Sequence, residues 1–214
     1  MDFLDTKIQD YAEAFTSPEN EVLAQLNRET WANVLIPRML SGHIQGRILS
    51  MFSHMLRPKS ILEIGTYTGY SALCLAEGLQ ADGVLHTIDI NEELEPMITR
   101  YIQQAGKQDQ IKLHIGAALE IIPTIPGNFD LVFIDADKEN YAHYFDAVID
   151  RMPSGGIIIA DNVLWSGKVL DEKERTEDEE TAALHQYNQK IHNDERVEHL
   201  LFPVRDGLMI ARKK

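Results

Sequence analysis

The sequence has one cysteine, Cys74, among its 214 residues. A single cysteine cannot form an internal disulfide, which fits a protein of a reducing compartment. Apolar runs are short, and none reaches the roughly 20 residues that a helix needs to cross a bilayer. The opening segment, MDFLDTKIQDYAEAF, is acidic and amphipathic, so it does not fit a secretory signal. These absences predict a cytoplasmic protein without a membrane segment.

Basic residues are also scarce, since 20 Lys and Arg stand against 34 Asp and Glu, for a formal net charge of −14. A negative field repels phosphate backbones, which argues against nucleic acid as a partner. Two short basic stretches, RPK at 57–59 and RKK at 212–214, keep tRNA as an alternative partner. The acidic run DEKERTEDEE at 171–180 is predicted to be a solvated loop or a helix start rather than a partner-binding segment.

The length and composition are those of one soluble globular domain, with 44% hydrophobic and 25% charged residues. We find no internal repeat and no low-complexity segment. Apolar spacing is helical near the start of the chain and changes near residue 60. We therefore predict a single domain over 1–214, with a helical N-terminal cap (1–57) and an α/β core (58–214).

Three helices are predicted in the cap from apolar residues at helical spacing. They run from Leu4 to Phe15, from about residue 22 to near Pro37, and from about Gly42 to Leu56.

In the core, short apolar runs alternate with helical segments. The runs, read as strands, are 61–64, 84–88, 111–115, 131–134 and 156–160, and the helices lie near 70–80, 92–105, 117–122 and 139–151. Continuous apolar strands separated by helices indicate a parallel sheet with helices on both faces. Two further runs, 197–202 and 208–211, flank PVRDG and predict a closing antiparallel hairpin. The predicted fold class is α/β, with a mostly parallel sheet.

The first predicted strand leads directly into a glycine-containing loop, Glu63 to Ser71. Glycines at such a turn let a ligand approach the backbone, and the following helix start favours a negative group. Only Gly65 and Gly69 are present, and Tyr67 fills the place of the second glycine of a dinucleotide fingerprint. S-adenosylmethionine, which has a carboxylate and no phosphates, fits better than a dinucleotide. The alternative is a glycine turn that only lets strand and helix pack.

The second predicted strand ends at Asp89, twenty residues after Gly69. An acid at this point of an open parallel sheet accepts hydrogen bonds from ribose hydroxyls. The alternative is that Asp89 starts the next helix, a task that Asn91 can do equally well.

Carboxylates and an amide follow two later strands: Asp135 after LVFI, and Asp161 and Asn162 after GIIIA. The carboxyl ends of parallel strands meet at one edge of the sheet, so these side chains are expected to converge. A hard, oxygen-only set suits Mg²⁺, with Mn²⁺ or Ca²⁺ as substitutes, and it does not suit zinc. The alternative is that the two acids cap the segments that follow them.

Lys138 lies three residues beyond Asp135. A phenolic hydroxyl attacks a methyl donor poorly until it loses its proton, and a bound cation lowers its pKa. Lys138 is a candidate general base for that proton if burial or the metal depresses its own pKa. The alternative is an ordinary solvated surface lysine.

Several motifs together resemble the cation-dependent O-methyltransferases, a family that includes catechol and caffeoyl-CoA O-methyltransferases. The motifs are SGHIQGRILSMF, LEIGTYTGYSA, HTIDIN, FDLVFIDADKENY, GGIIIADNVLWSGKV and PVRDGLMIARK, and the resemblance extends from about residue 35 to 214. It implies a Rossmann-like class I methyltransferase fold with a seven-stranded sheet. It also implies a small hydroxylated acceptor and a homodimer.

The resemblance assigns roles to individual residues. Cofactor contacts are implied at Glu63, Gly65, Thr66, Ser71, Asp89 and Ala118, and we add Tyr67 and Asp135 as further candidates. Metal ligation is implied at Asp135, Asp161 and Asn162, and the catalytic lysine at Lys138. Candidate acceptor contacts are Ser41, Gly42 and Trp165. The pair Ala118-Leu119 resembles the caffeoyl-CoA branch, whereas the acidic segment after Trp165 departs from both branches and leaves the acceptor open.

Three other functions are compatible with parts of the sequence. One is methylation of a hydroxylated uridine in tRNA on the same scaffold, which the net charge disfavours. Another is a nicotinamide-dependent oxidoreductase, which Tyr67 and the missing third glycine disfavour. The last is a non-catalytic cofactor-binding protein, which the intact set Asp135, Lys138, Asp161 and Asn162 disfavours.

Overall fold

The computed structural model describes residues 5–214, so Leu4 of the first predicted helix lies outside the described residues. The α-helices are α1 (Thr6–Ala14), α2 (Glu21–Asn33), α3 (Gly42–Leu56), α4 (Tyr70–Leu75), α5 (Glu95–Gln104), α6 (Ala118–Ile121), α7 (Tyr141–Ile149), α8 (Glu174–Glu177) and α9 (Glu179–Asn193). Short 3₁₀ segments lie at Pro37–Met39, Glu92–Leu94, Ile122–Thr124, Lys138–Asn140 and Trp165–Leu170.

The strands form one sheet. They are β1 (Ser60–Ile64), β2 (Val84–Asp89), β3 (Ile111–Ile115), β4 (Leu131–Ile134), β5 (Ile157–Ala160), β6 (Val197–Phe202) and β7 (Leu208–Lys213). The sheet is seven-stranded, with the order β3-β2-β1-β4-β5-β7-β6. Strand pairs β1–β2, β2–β3 and β4–β5 are parallel, whereas β7 pairs antiparallel with β5 and with β6. The predicted α/β class, mostly parallel sheet and closing antiparallel hairpin are confirmed.

Residues 7–117 form one compact unit that contains β1 to β3. Helix α3 packs closely on α4 and on the turn that follows α4, because Gly46 in α3 and Gly78 in that turn leave room. A Cβ on Gly46 would lie 2.6 Å from the Tyr70 ring, and one on Gly78 would lie 2.2 Å from the backbone of Ser53. A side chain at Gly46 is therefore expected to force α3 and α4 apart, and one at Gly78 to push α3 away from the turn after α4.

Helix α3 spans the predicted range, but its apolar stripe is not its buried face. The buried residues are Gln45, Gly46, Leu49, Ser50 and Ser53. Met51 and Met55, which lie on the apolar stripe, are 60% and 69% exposed. Helix α1 has no buried residue among those that the structure describes. The cap therefore leaves part of its apolar surface uncovered within this chain.

Residues 118–214 form the second compact unit, with β4, β5, β7 and β6. Strands β4 and β5 are almost entirely buried, which explains their continuous apolar sequences. Helix α9 contacts α7 and the segment Lys138–Asn140, and so borders the strand ends that carry the predicted ligands. The prediction of a single domain with a cap at 1–57 stays a prediction.

Three helix boundaries differ from prediction. Helix α4 ends at Leu75 rather than near residue 80, because the chain turns at residues 76–78. Helix α2 ends at Asn33 rather than near Pro37, because Val34 is extended and Ile36 has a left-handed φ of 56°. Leu35 is consequently 87% exposed. The predicted helix at 92–105 begins as a 3₁₀ turn, and α5 itself starts at Glu95 with Pro96 in its first turn, where proline is tolerated.

Among residues 5–214, we find no helix that is both long and apolar enough to cross a membrane.

Candidate active site

The loop between β1 and α4 contains three residues with left-handed backbone. Gly65 and Gly69 have φ of 98° and 90°, and Tyr67 has φ of 51°. Glycine adopts this region without cost, but a side chain there is strained. A specific contact stabilises the strained backbone of Tyr67, because its N–H donates to Asp89 Oδ2 at 2.6 Å. Strained backbone of this kind is often found where a ligand binds.

The Tyr67 side chain is half-buried, and its hydroxyl donates to the carbonyl oxygens of Leu35 and Ile36 at 3.1 and 3.3 Å. Burial raises the pKa of this hydroxyl, which therefore stays neutral and able to donate. Tyr67 thus ties the loop to the segment between α2 and α3. Ser71 is buried in α4, and Ser41 is buried at the start of α3. Gly42 has φ of 72°, and a Cβ there would meet no atom within 4 Å.

Asp89 ends β2, as predicted, and both of its oxygens accept backbone hydrogen bonds. Oδ2 accepts from Tyr67 and Oδ1 accepts from the N–H of Asn91 at 2.9 Å. A carboxylate has about four acceptor positions, so capacity for ribose hydroxyls remains. The start of the next helical segment does not depend on Asp89 alone. The side chain of Asn91 accepts a hydrogen bond from Glu93 N at 3.0 Å and starts the following turn.

The candidate metal ligands lie in the second unit, at the ends of two paired strands. Ile134 of β4 is in register with Ala160 of β5, so Asp135 and Asp161 follow at matching positions. Asp135 Oδ1 and Asn162 Oδ1 lie 3.1 and 3.0 Å from Lys138 Nζ. The structure therefore brings two of the three predicted ligand side chains around one cationic group.

Asp161 is buried, and its Oδ1 accepts a hydrogen bond from the N–H of Asn162 at 2.7 Å. Asn162 has a left-handed φ of 59°, a conformation that asparagine tolerates better than most residues. This backbone conformation brings the side chain of Asn162 within reach of Lys138. The two neighbours thus share one strained turn after β5.

Lys138 is 7% exposed, so it is not the solvated surface lysine of the alternative interpretation. Its Nζ also donates to the hydroxyl of Tyr141 at 2.7 Å, and all three N–H bonds of an ammonium group are thereby used. The same nitrogen lies 4.8 Å from the centre of the Tyr141 ring and 5.7 Å from that of Trp165. Both rings are within the range of cation–π attraction.

Tyr141 is a residue that the sequence interpretation did not single out, although it closes the motif DADKENY. It is fully buried, and its hydroxyl donates to the carbonyl oxygen of Asp161 at 3.0 Å. Burial raises the pKa of this phenol well above its ordinary value, so it remains protonated. Its ring meets that of Tyr187 edge-on at 5.5 Å.

The segment that carries Trp165 is supported by the turn between β6 and β7. Val163 N donates to Gly207 O at 3.2 Å, and Leu164 N donates to Asp206 O at 2.9 Å. The Asp206 carboxylate also accepts from Ser166 N at 2.5 Å. Gly207 has φ of 84° and a Cβ there would lie 2.5 Å from Leu164, so glycine is required at this contact.

The oxygen set at Asp135, Asp161 and Asn162 fits a hard divalent cation, because two carboxylates and one amide oxygen leave the remaining positions to water. It does not fit zinc, because it has no thiolate or imidazole. Within residues 5–214 there is no metal-holding group of three or more His, Cys, Asp or Glu side chains, and the present set has two such residues beside Asn162. Ala118, the remaining predicted cofactor contact, is buried at the start of α6. All these assignments of binding roles stay predictions.

Comparison with known proteins identifies the family of this chain. Residues 13–214 match the family model described as O-methyltransferase. Caffeoyl-CoA O-methyltransferase 1 of Eucalyptus globulus is 34% identical over 191 residues, which cover 82% of this chain and 75% of the plant protein.

Solved structures are similar over almost the whole chain. A methyltransferase of Podospora anserina with bound SAH has a TM-score of 0.89 at 28% identity, covering 98% of this chain and 94% of its own. The O-methyltransferase of Bacillus cereus in complex with SAH has a TM-score of 0.89 at 27% identity, covering 97% of each chain. These similarities confirm the predicted Rossmann-like methyltransferase fold. The chain therefore belongs to the O-methyltransferase family.

Proposed function

We propose that this chain transfers a methyl group from S-adenosylmethionine to a hydroxyl of a small catechol-like or caffeoyl-type acceptor, with the help of a divalent cation. Family membership and the SAH bound to two structural relatives support the reaction and the cofactor. The observation that carries the rest is the convergence of Asp135 Oδ1 and Asn162 Oδ1 on Lys138 Nζ.

S-adenosylmethionine supplies an electrophilic methyl group on a sulfonium sulfur when bound. The loop from Gly65 to Tyr67 and the carboxylate of Asp89 are the proposed holders of this cofactor. Asp89 keeps free acceptor positions for ribose hydroxyls beside its two backbone contacts. The family resemblance adds Glu63, Ser71 and Ala118 to the proposed cofactor contacts, and Asp135 is a further candidate of our own.

Asp135, Asp161 and Asn162 are the proposed ligands of the divalent cation, which is Mg²⁺ with Mn²⁺ or Ca²⁺ as substitutes. When bound, such an ion lowers the pKa of an acceptor hydroxyl and holds two adjacent oxygens in a fixed orientation. An acceptor with neighbouring hydroxyls is therefore favoured over one with a single hydroxyl. Trp165 lies near Lys138 and supports an aromatic acceptor, while Ser41 and Gly42 stay proposed acceptor contacts from the resemblance alone.

Lys138 is the proposed general base. In its neutral form Nζ keeps two N–H bonds and gains one lone pair, so two of its three oxygen contacts can persist while the lone pair takes the acceptor proton. Its position next to two proposed metal ligands keeps that lone pair close to the hydroxyl to be deprotonated. Tyr141 stays protonated and anchors the nitrogen during this transfer.

The decisive experiment removes the ion. Treatment with a chelator is expected to abolish methyl transfer to a catechol while circular dichroism and SAH affinity stay unchanged, and added Mg²⁺ should restore the rate. Asp161→Ala should behave like the chelated protein, whereas Asp82→Ala, an exposed acid paired with Lys59, should retain the rate. Full activity of both the chelated protein and Asp161→Ala on the best acceptor would show that the carboxylates are structural.

The acceptor class is tested by a panel of catechols, caffeoyl-CoA, simple phenols and undermodified tRNA. We expect turnover of acceptors with adjacent oxygens and much slower turnover of simple phenols. Equal rates on catechol and phenol would contradict chelation of the acceptor. Turnover of tRNA alone would instead favour the hydroxyuridine O-methyltransferase alternative, against which the net charge of −14 argues.

A homodimer is part of the proposal. The exposed apolar side chains Ile8, Tyr11 and Phe15 of the N-terminal segment support it, since contiguous apolar surface usually marks an interface. Sedimentation at micromolar concentration is expected to give twice the chain mass, and a monomer would contradict the assignment. The cytoplasmic location stays a prediction from the sequence.

A further inference from the structure

A line of three buried side chains runs from the sheet into the loop between β1 and α4. Glu63 of β1 and Thr87 of β2 are register partners, and Thr66 follows Gly65 in the loop. Glu63 and Thr87 are 0% exposed and Thr66 is 1% exposed. Thr87 Oγ1 lies 2.5 Å from Glu63 Oε2 and 2.5 Å from Thr66 Oγ1. One hydroxyl of β2 therefore joins a buried carboxylate to the loop.

The number of hydroxyl protons determines which atom donates in each of these hydrogen bonds. A threonine hydroxyl has one proton and two lone pairs. Thr87 gives its proton to the Glu63 carboxylate, so the bond to Thr66 must use the proton of Thr66. The hydroxyl groups of Thr66 and Thr87 are therefore each fixed in one orientation. Because burial excludes water as a replacement partner, the arrangement is costly to break.

The same loop is also tied to β2 at its strained residue, Tyr67. Tyr67 N donates to Asp89 Oδ2 at 2.6 Å, two residues along β2 from Thr87. The left-handed turn at Gly65 to Tyr67 thus has one side-chain anchor before Tyr67 and one at Tyr67 itself. A loop held in one conformation by such contacts loses less entropy when a ligand binds to it.

We propose that Thr87 is a positioning residue for cofactor binding, which fixes the Gly65–Tyr67 turn through Thr66 without contacting the cofactor. This inference rests on the proposed function, because the loop is the proposed holder of S-adenosylmethionine. Thr87 acts on affinity, and its loss leaves the acceptor chemistry in place. The expected signature is therefore a higher KM for S-adenosylmethionine with little change in kcat at saturation.

The test compares matched buried threonines by calorimetric titration with SAH. Thr87→Val keeps the side-chain shape but removes the hydroxyl, and we expect the Kd for SAH to rise about tenfold, as for the loss of one buried hydrogen bond. Thr87→Ser should restore affinity to within about threefold of the natural protein. Thr181→Val is the control, since Thr181 is also fully buried and its hydroxyl donates to Asp178 Oδ2 at 2.6 Å, outside this loop. It should lower thermal stability without changing the Kd.

Coupling to Thr66 provides a second measurement. If Thr87 acts through Thr66, the double variant Thr66→Val/Thr87→Val should bind SAH no more weakly than the weaker of the two single variants. Natural affinity in Thr87→Val, an equal loss in Thr181→Val, or additive losses in the double variant would each overturn the proposal. If Thr87→Val does not fold, Thr87→Cys, which replaces the hydroxyl by a weaker thiol donor, takes its place: it must weaken SAH binding while Thr87→Ser binds normally. Absence of SAH binding by the natural protein would instead overturn the proposed function.

Discussion

Lys138 and Tyr141 are joined by a buried hydrogen bond of 2.7 Å, from the lysine nitrogen to the phenol oxygen. The same phenol donates to the carbonyl oxygen of Asp161 at 3.0 Å. Tyr141 thus connects the proposed base, which follows β4, to the segment of proposed metal ligands that follows β5. Each of the two segments depends on the other for the position of its functional groups.

Tyr141→Phe is expected to lower the free energy of unfolding by about 1–3 kcal/mol, because the buried carbonyl of Asp161 loses its donor. The rate of methyl transfer should fall with it, because the Lys138 nitrogen loses an anchor. Denaturant unfolding and steady-state kinetics measure the two effects.

Tyr187→Phe is the matched control for this prediction. The Tyr187 hydroxyl is fully buried, and it has no hydrogen-bond partner among the described residues. Removing it should leave stability unchanged or raise it, since a buried hydroxyl without a partner is unfavourable. Equal losses in the two variants would show that the Tyr141 hydroxyl bonds contribute nothing specific.

Lys138→Met is expected to reduce kcat by about 10²–10⁴-fold, the usual contribution of a general base. SAH affinity and secondary structure should be retained. Lys168→Met provides the control, since Lys168 is half-exposed and pairs with Glu174 and Asp178. A Lys138→Met protein with unchanged kcat on its best acceptor would rule out the proposed proton transfer.

Asp89→Ala is expected to weaken SAH binding several-fold or more, because a hydrogen bond to a charged group contributes about 1.5–3 kcal/mol. It also removes the acceptor of the strained Tyr67 N–H, which adds to the loss. Calorimetry with SAH and with NAD checks both the magnitude and the ligand class. Tight NAD binding without SAH binding would contradict the assignment of the loop.

The histidine pair His86 and His114 predicts a pH dependence of stability. Their ring nitrogens lie 2.9 Å apart, and burial is the main cause that lowers the pKa of each below 6.5, with Lys112 adding repulsion at His86. The unfolded chain therefore binds more protons than the folded one as pH falls below about 6.5. Stability is fully present above that pH and decreases on acidification.

Calorimetric melting between pH 7.5 and 5.5 tests this pair directly. His114→Gln removes one member of the pair and should flatten the fall of Tm below pH 6.5 relative to the natural protein. Parallel curves for the two proteins would mean that other groups determine the acid sensitivity.

Much of the fold was predictable because its central strands β1, β4 and β5 are buried on both faces. The runs 131–134 and 157–160 consist of apolar residues, and such runs between helical segments have few other interpretations. Asp135 and Asn162 could be expected to converge because they follow parallel neighbours. The end of α2 was not predictable, since periodicity continues through Leu35 while the left-handed backbone of Ile36 breaks the helix.

The supporting residues escaped the sequence interpretation because their residue types suit their local structure. Thr87 lies in a strand, where a β-branched residue is ordinary, and Tyr141 lies in a helix at a core position. Their importance depends on which atom lies opposite them. For Thr87 that is the carboxylate of Glu63, a contact that is set by strand register and is not visible in the spacing of residues along the chain.

The support of Trp165 and its neighbours by Asp206 and Gly207 has a consequence for the order of assembly. The loop that follows Asn162 is held by a turn more than forty residues later, and β7 lies between β5 and β6 in the sheet. During synthesis, Asp135, Lys138 and Asn162 leave the ribosome well before the segment that fixes their surroundings. The loop after Asn162 can take its final form only after residue 213 has emerged, so a nascent chain stopped before the hairpin should be inactive.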